Sequence, residues 1–395
     1  MKFLKLLKIF IKYNPLYIFF SLIFFFFILL LRPIFKVKIG EIESRAIGHF
    51  SLPIEIFLCE LKKNIFKKKN NEIFLFFYNK KISNTFLLEK YKKKLIFFPR
   101  IILEPIFKFL IYFEFGQIFL VPFRHWSNTK YWQIKDVHNV LENTDPQIQF
   151  TEYEITKGEN NLKKVDIQKA DKIFGFMSRS NHYRNDEPST RDSSIYELLD
   201  GIKYISNKYN YKAIRFGLNP DDRVEGRNII DYSNTEIQND FNDIFFISKC
   251  DFFISTGSGI NCVATMFRKP KLMVNYVDYF SIINQCEKYC PFILPKKFQY
   301  KKNNKIVPLS EIFKKKIYQV TSHKELSENG YLILENTSLE ILDAVKEFTD
   351  LQLENKKQSK YQFEQNEFWK LYKKYFDYSP KNLRISQSFF YEKVF

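Results

Sequence analysis

Apolar positions set two rhythms along this chain. Leu16 to Leu31 reads LYIFFSLIFFFFILLL, sixteen residues without a charge and apolar on every face. As a helix it covers about 24 Å, short of a hydrocarbon core of about 30 Å. Lys12 and Arg32 flank it and can snorkel, so residues 1–33 are predicted to form a membrane anchor helix, tilted or half-inserted. A buried soluble helix is the other reading. A cleaved signal peptide fits less well, because Arg32-Pro33-Ile34-Phe35 offers no small-residue cleavage site.

Beyond the anchor, short apolar runs alternate with helical spacing. Strands are predicted at 35–39, 72–78 and 95–98, with helices at 54–61, 84–91 and 101–112. From 172 the pattern sharpens, with strands at 172–178, 211–216, 228–232, 251–255 and 271–275. Helices at 193–209, 241–249, 257–267 and 338–348 go with them. The alternation implies βα units on parallel sheets, an α/β fold of two Rossmann-like domains. We place the N-terminal domain at 34–160 and the C-terminal domain at 161–353. The stretch 354–395, charged and then aromatic, is expected to pack back on the body. Ligands of such sheets gather beyond the carboxyl ends of the strands.

Composition changes this picture little. The formal charge is +18, from 62 Lys+Arg against 44 Asp+Glu, which raises nucleic acid or an anionic membrane as partners. Yet 45 Phe accompany the abundant Lys, Asn and Ile, as a GC-poor genome would dictate. The runs Lys67–Lys69 and Lys92–Lys94 sit among helical segments and read as solvated faces. No nucleic-acid module accompanies them, so no nucleic-acid partner is expected. The five cysteines are too few and too irregular for a disulfide framework. Cys286 and Cys290 lack a second pair to complete a zinc set, so free thiols and no metal are expected. Lys2, Lys5, Lys8 and Lys12 before the anchor balance Arg32, Lys36 and Lys38 after it, and orientation stays open.

Candidate chemistry lies at strand ends. Asp251 to Gly259 (DFFISTGSG) runs a strand into a small-residue turn and then a helix. Gly257 and Gly259 let an anion approach the backbone, and Ser255, Thr256 and Ser258 add hydroxyls. The same pattern also serves as a plain helix cap. Arg179 to Asp186 (RSNHYRND) follows the strand at 172–178 and offers Arg179, His182, Arg184 and Asn185; His182 also fits a local loop role. Arg215 and Gly217 end the next strand. Three strands are thus expected to bring cations and the turn to one sheet edge, where Arg suits bidentate phosphate binding. In the first half, Arg45 and His49 stand between a strand and a helix, with Glu55 further on. His49 could act as a general base or cap the helix. Asp231 and Asp243 are further polar candidates, more structural in character.

At these residues the chain resembles a family of bacterial glycosyltransferases of GT-B type, distantly similar to fucosyltransferase-like enzymes. The likeness rests on Gly48-His49 with Glu55, Tyr183-Arg184-Asn185, Ile214–Gly217, Ile230–Tyr232, Asp243–Phe245 and Asp251–Gly259. Pro295–Lys297, Leu309–Ile312, Gly330, Asn336-Thr337 and Arg384–Phe389 continue it. The resemblance implies two Rossmann-like domains facing a cleft, with a nucleotide-sugar donor in the C-terminal half. A glycan or lipid-linked acceptor would face the N-terminal half, and no resident cofactor is implied. An Arg after the first donor-domain strand, usually within His-x-Arg, grips the diphosphate in that family. Arg179 matches, with Met177 in the His position and Ser180 in that of a usual Asp. Cell-surface polysaccharide synthesis is the function expected, on the cytoplasmic face of the inner membrane where sugar nucleotides are found. A non-catalytic relative that binds a sugar nucleotide or glycan is the alternative, which Met177 favours.

Overall fold

The computed structural model describes residues 13–65, 71–121, 136–180, 188–218, 222–356 and 360–395. The chain divides into two compact units, residues 1–149 and 150–395.

The first unit is built on a parallel sheet, β1 (Lys36–Ile42), β2 (Glu72–Tyr78) and β3 (Ile96–Phe97), in that order. Lys36 pairs with Glu72 and Ile42 with Tyr78 along the full length of β1. Helix α1 (Pro15–Leu31) precedes the sheet; α2 (Ile47–Lys62), α3 (Thr85–Lys92) and α4 (Arg100–Leu110) connect and follow its strands. Asn84 starts α3 by accepting a hydrogen bond from the Leu87 amide, which leaves one fewer end group unpaired. Val37, Ile39, Phe77, Leu103, Phe107 and Leu110 make the core, with Phe77 and Phe107 edge to face at 5.5 Å.

The predicted apolar helix forms as α1, with Pro15 at its first turn and Asn14 capping it. It is laid on this core rather than separate from it. Ser21 and Ile28 are buried, Phe24 stacks on Phe98 at 4.6 Å, and Phe25 meets Phe119 edge-on at 5.4 Å. No helix among the described residues is long and apolar enough to cross a membrane.

The second unit carries a seven-stranded sheet in the order β12-β9-β8-β7-β4-β5-β6. Its strands are β4 (Ile173–Met177), β5 (Lys212–Arg215), β6 (Ile229–Ile230), β7 (Phe253–Ser255), β8 (Lys271–Tyr276), β9 (Phe292–Pro295) and β12 (Arg384–Ile385). Every pairing is parallel. From β4 the chain winds outward through β5 and β6, then returns to β4's other side for β7, β8 and β9. That is the doubly wound order, whose switch point lies between β4 and β7. Gly175 makes the β4–β7 contact possible, since a Cβ there would fall 2.1 Å from the Phe253 ring. Helices α5 (Glu152–Lys163), α6 (Leu199–Tyr209), α7 (Asp240–Lys249) and α8 (Ile260–Met266) come next, with a small antiparallel pair, β10 (Lys297–Tyr300) and β11 (Tyr331–Leu334). The set is completed by α9 (Leu309–Lys314), α10 (His323–Glu328), α11 (Ser338–Glu354) and α12 (Gln362–Phe376).

Two boundaries differ from the sequence reading. The division falls after Gln149 and not after 160. Phe150 stacks on Phe267 at 5.9 Å and meets Phe245 at 5.1 Å, while Gly158 of α5 lets the Phe245 ring lie against its backbone. Aromatic burial, not the polar run at 157–164, therefore decides where the second unit begins. Residues 354–395 belong to this unit. Phe368 and Tyr372 of α12 are fully buried in its core, and β12 is a strand of its sheet.

Candidate functional site

At the switch point Met177 stands beside Ser255, so the carboxyl ends of β4 and β7 deliver Arg179 and the turn 255–259 to the same place. They are tied there: the Arg179 amide donates to Thr256 Oγ1 at 2.9 Å. A third segment joins them. Ser178 Oγ donates to the Ser193 carbonyl at 2.7 Å and the Ser193 amide to the Arg179 carbonyl at 2.9 Å. Asp192 then accepts from Arg179 Nε at 3.0 Å, and Arg191 Nη2 donates to the Gly257 carbonyl at 2.8 Å. Beneath this loop lies Lys296, fully buried, donating from Nζ to the carbonyls of Asp192 at 2.6 Å and Thr190 at 3.1 Å. Burial pushes its ammonium down to about 8, against the opposing pull of Glu335 and Asp192. Glu335 lies 3.9 Å from Nζ and also accepts from the Ser194 amide at 3.0 Å.

The turn is knitted from within. Ser255 and Thr256 are fully buried, and Ser255 Oγ is hydrogen-bonded to Asn261 Oδ1. Asn261 Nδ2 reaches the Thr256 carbonyl at 2.7 Å. Ser258 Oγ donates to the Met177 sulfur at 3.0 Å, so Met177 is part of this edge. The side chains of Ser255 and Thr256 thus shape the turn, while Gly257, Ser258 and Gly259 are its partly exposed positions. Helix α8 spans only seven residues, and Gly259 has ordinary right-handed geometry (φ −64°). The charge at this rim comes from the guanidinium groups more than from a helix dipole. Nearby, the backbone amides of Asn275, near the end of β8, and Asn336 each donate to the other's side-chain Oδ1 at 2.6 Å, and the buried Nδ2 of Asn275 has no hydrogen-bond partner among the described residues.

Other expected residues stand elsewhere. Arg215 is only 4% exposed and donates to the Asp222 carbonyl at 2.8 Å and to Asp231 at 3.3 Å, so it braces a loop instead of presenting a cation. Asp231 also accepts from the Val224 amide, Ser233 and Asn234, a hub with no role at the rim. Gly217, at φ +154°, turns the chain, and its carbonyl is taken by Gln238. Asp243 accepts from the Tyr232 hydroxyl at 2.8 Å. Burial raises its carboxyl to about 7, helped by Asp240 and opposed by Tyr232 and Gln238. His182, Arg184 and Asn185 lie outside the described residues.

In the first unit, Arg45 makes a bidentate pair with Glu43 at 2.8 and 2.6 Å. Burial works to raise the Glu43 carboxyl, but Arg45 and the nearby His49 hold it below its usual value. His49 sits in the first turn of α2, partly buried. Glu55 is fully buried and accepts from the Gln147 amide at 2.9 and 3.1 Å, pinning that loop. All five cysteines are free thiols. Among the described residues no group of three or more His, Cys, Asp or Glu is placed to hold a metal.

Three residues at the centre escaped the sequence reading: Arg191, Asp192 and, as a site residue, Lys296. A signal existed for the first two. Pro188-Ser-Thr-Arg-Asp192 precedes the Ser193-Ser194 helix start and so closes the same βα loop that opens with Arg179. Nothing local marks Lys296, whose place depends on β9 lying three strands from β4.

No family model and no curated protein matches the chain. Among solved structures, a family 9 glycosyl transferase from Veillonella parvula aligns with 61% of this chain and 81% of its own, at 12% identity and a TM-score of 0.40. The Escherichia coli ADP-heptose LPS heptosyltransferase II shares 12% identity over 60% of this chain and 84% of its own, with a TM-score of 0.35. The iron-containing dodecameric glycosyltransferase TibC of enterotoxigenic E. coli shares 9% over 64% and 62%, also at 0.35. At this level the similarity is one of GT-B-like α/β architecture at low identity.

Proposed function

We propose that the protein is a glycosyltransferase that holds a nucleotide-sugar diphosphate at the switch point of the second unit. The observation that supports this reading is the pair Arg179 and Arg191, fixed by Asp192, Thr256 and the Gly257 carbonyl beside a partly exposed turn. Negative charge builds on the departing nucleoside diphosphate as the glycosidic bond to the donor breaks. Preorganised guanidinium groups stabilise that charge. The proposal extends to a glycan or lipid-linked acceptor in cell-surface polysaccharide synthesis, with His49 as the base for its hydroxyl and the cytoplasmic membrane face as the place of work. A fucosyltransferase-like transfer belongs to the same proposal.

A second reading, a sugar-nucleotide-binding relative without turnover, is favoured by Met177, whose sulfur engages Ser258 where the resembling family has a His. One panel tests both. Purified protein is melted with nucleoside diphosphates and nucleotide sugars, and product release is followed in parallel. A ligand at 100 times its Kd adds about 2.7 kcal/mol to native stability. A shift with turnover supports the transferase, and a shift without turnover supports the binding relative. No shift with any nucleotide, or full activity of Arg179→Ala, sinks the diphosphate site.

A further inference from the structure

We infer that the first unit docks in the plane of an anionic lipid surface, through α1 and apolar positions beside it, without crossing the bilayer. Helix α1 has two sides of different fate. Along one, Tyr13 hydrogen-bonds Glu104 of α4, Ser21 Oγ donates to the Ile102 carbonyl at 2.9 Å, and Phe24, Phe25 and Ile28 close the seam. Along the other, Phe19, Leu22, Phe26 and Leu30 follow helical spacing and stand 57, 62, 59 and 57% exposed. A helix on the surface of a water-soluble unit carries polar residues there; α1 has none. The apolar exposure continues onto Ile101, Phe115 and Ile118, each at least half exposed. With a side chain of this kind burying about 150–250 Å², the face reaches on the order of 1,000 Å², beyond the few hundred usual for a solvated patch.

The seam decides orientation. Helix α4 carries Arg100, Glu104 and Lys108, with Arg100 and Glu104 paired at 2.7 Å. A spanning α1 would have to draw these charges and the sheet behind them into hydrocarbon, or tear the seam open. Lying flat costs neither. The border selects the occupant. Lys93 and Lys94 are exposed, as is Lys92, which pairs with Glu89 at 2.9 Å, and they precede in sequence Ile96, 57% exposed, and Phe98, which stacks on Phe24 of α1. An apolar centre with a cationic edge matches acyl chains bordered by anionic headgroups. A second copy of the chain would set two cationic edges against each other.

Flotation of the full chain with preformed vesicles tests this. Binding is expected to vesicles of phosphatidylcholine with phosphatidylglycerol, and several-fold less to phosphatidylcholine alone. Joint replacement of Phe19, Phe20, Phe26 and Phe27 by Ser should abolish binding, with circular dichroism confirming the fold. Changing Lys92, Lys93 and Lys94 to Gln should erase only the preference for the anionic lipid. In bound Asn14→Cys and Pro33→Cys chains, an impermeant maleimide added outside should label both ends above the parent's background. Protection of one end until detergent is added means a spanning helix and overturns the proposal. So does failure to float, or a dimer that the phenylalanine changes dissolve.

Discussion

Asp243 offers the most quantitative test of how the second unit is held together. Its carboxyl is raised from 3.8 to about 7, first by burial and then by Asp240. The folded state therefore keeps a proton that the unfolded chain gives up near pH 4. The favourable contribution is complete below that pH and is lost as pH rises through 7. At about 1.4 kcal/mol per pKa unit the whole span corresponds to about 4 kcal/mol. Asp243 keeps a partly exposed edge, so water shares the charge and a swing of about 2–3 kcal/mol is expected. Asp243→Asn retains an oxygen to accept from the Tyr232 hydroxyl but cannot ionise. Its stability relative to the parent should rise by that amount between pH 4 and pH 8. The measurement is urea unfolding read by Trp369 of α12, with Trp126 and Trp132 changed to Phe in both chains. Midpoints that move in parallel across the range would show that Asp243 is not the titrating group and refute the reasoning.

Three other outcomes can be checked alongside. Gly175→Ala should lower the melting temperature of the second unit by the equivalent of about 1–3 kcal/mol, because its Cβ falls on the Phe253 ring. Lys296 has a depressed ammonium, so the stability of the parent relative to Lys296→Met should rise as pH climbs from about 8 toward 10.5; Lys296→Met should also bind nucleoside diphosphate less tightly, as judged by melting with and without ligand. Arg191→Ala should weaken nucleoside-diphosphate binding roughly tenfold or more by calorimetry with the fold intact. Arg215→Ala, by contrast, should cost about 1–3 kcal/mol of stability by removing the cation from Asp231, which keeps only its neutral donors.

Much of this unit was readable because its signals are local. Strand runs such as KIFGFMS and DFFIS carry their own hydrophobic pattern, and five of the expected strands form within a few residues of the predicted limits. Arg179 and the Ser/Gly turn could be paired in advance because each ends a strand. What could not be read was whether a polar side chain faces the rim or turns back into the protein. Arg215 ends a strand and Arg179 closely follows one, and each meets an aspartate, but Arg215 is buried at 4% exposure while the Arg179 side chain keeps 21%. Thr256 looked like a ligand donor and is instead an acceptor for the Arg179 amide. Lys296 is placed by sheet order, which no window of sequence contains. The C-terminal aromatics imply a segment packed back on the body, while β12 pairs through backbone groups, and two residues of strand leave no periodic trace.

That last strand bears on when the unit can mature. β9 presents an open edge until Arg384 and Ile385 dock on it, and the shared core lacks Phe368 and Tyr372 until α12 arrives. A ribosome that has made β4 through β9, with the whole arginine rim already translated, still carries a sheet with one bare side and a hollow beneath it. Exposed edges of this kind invite pairing with other chains. The interval between residues 295 and 385 is thus the period of greatest exposure to misassembly, and nascent chains stalled there should be the ones that chaperones hold.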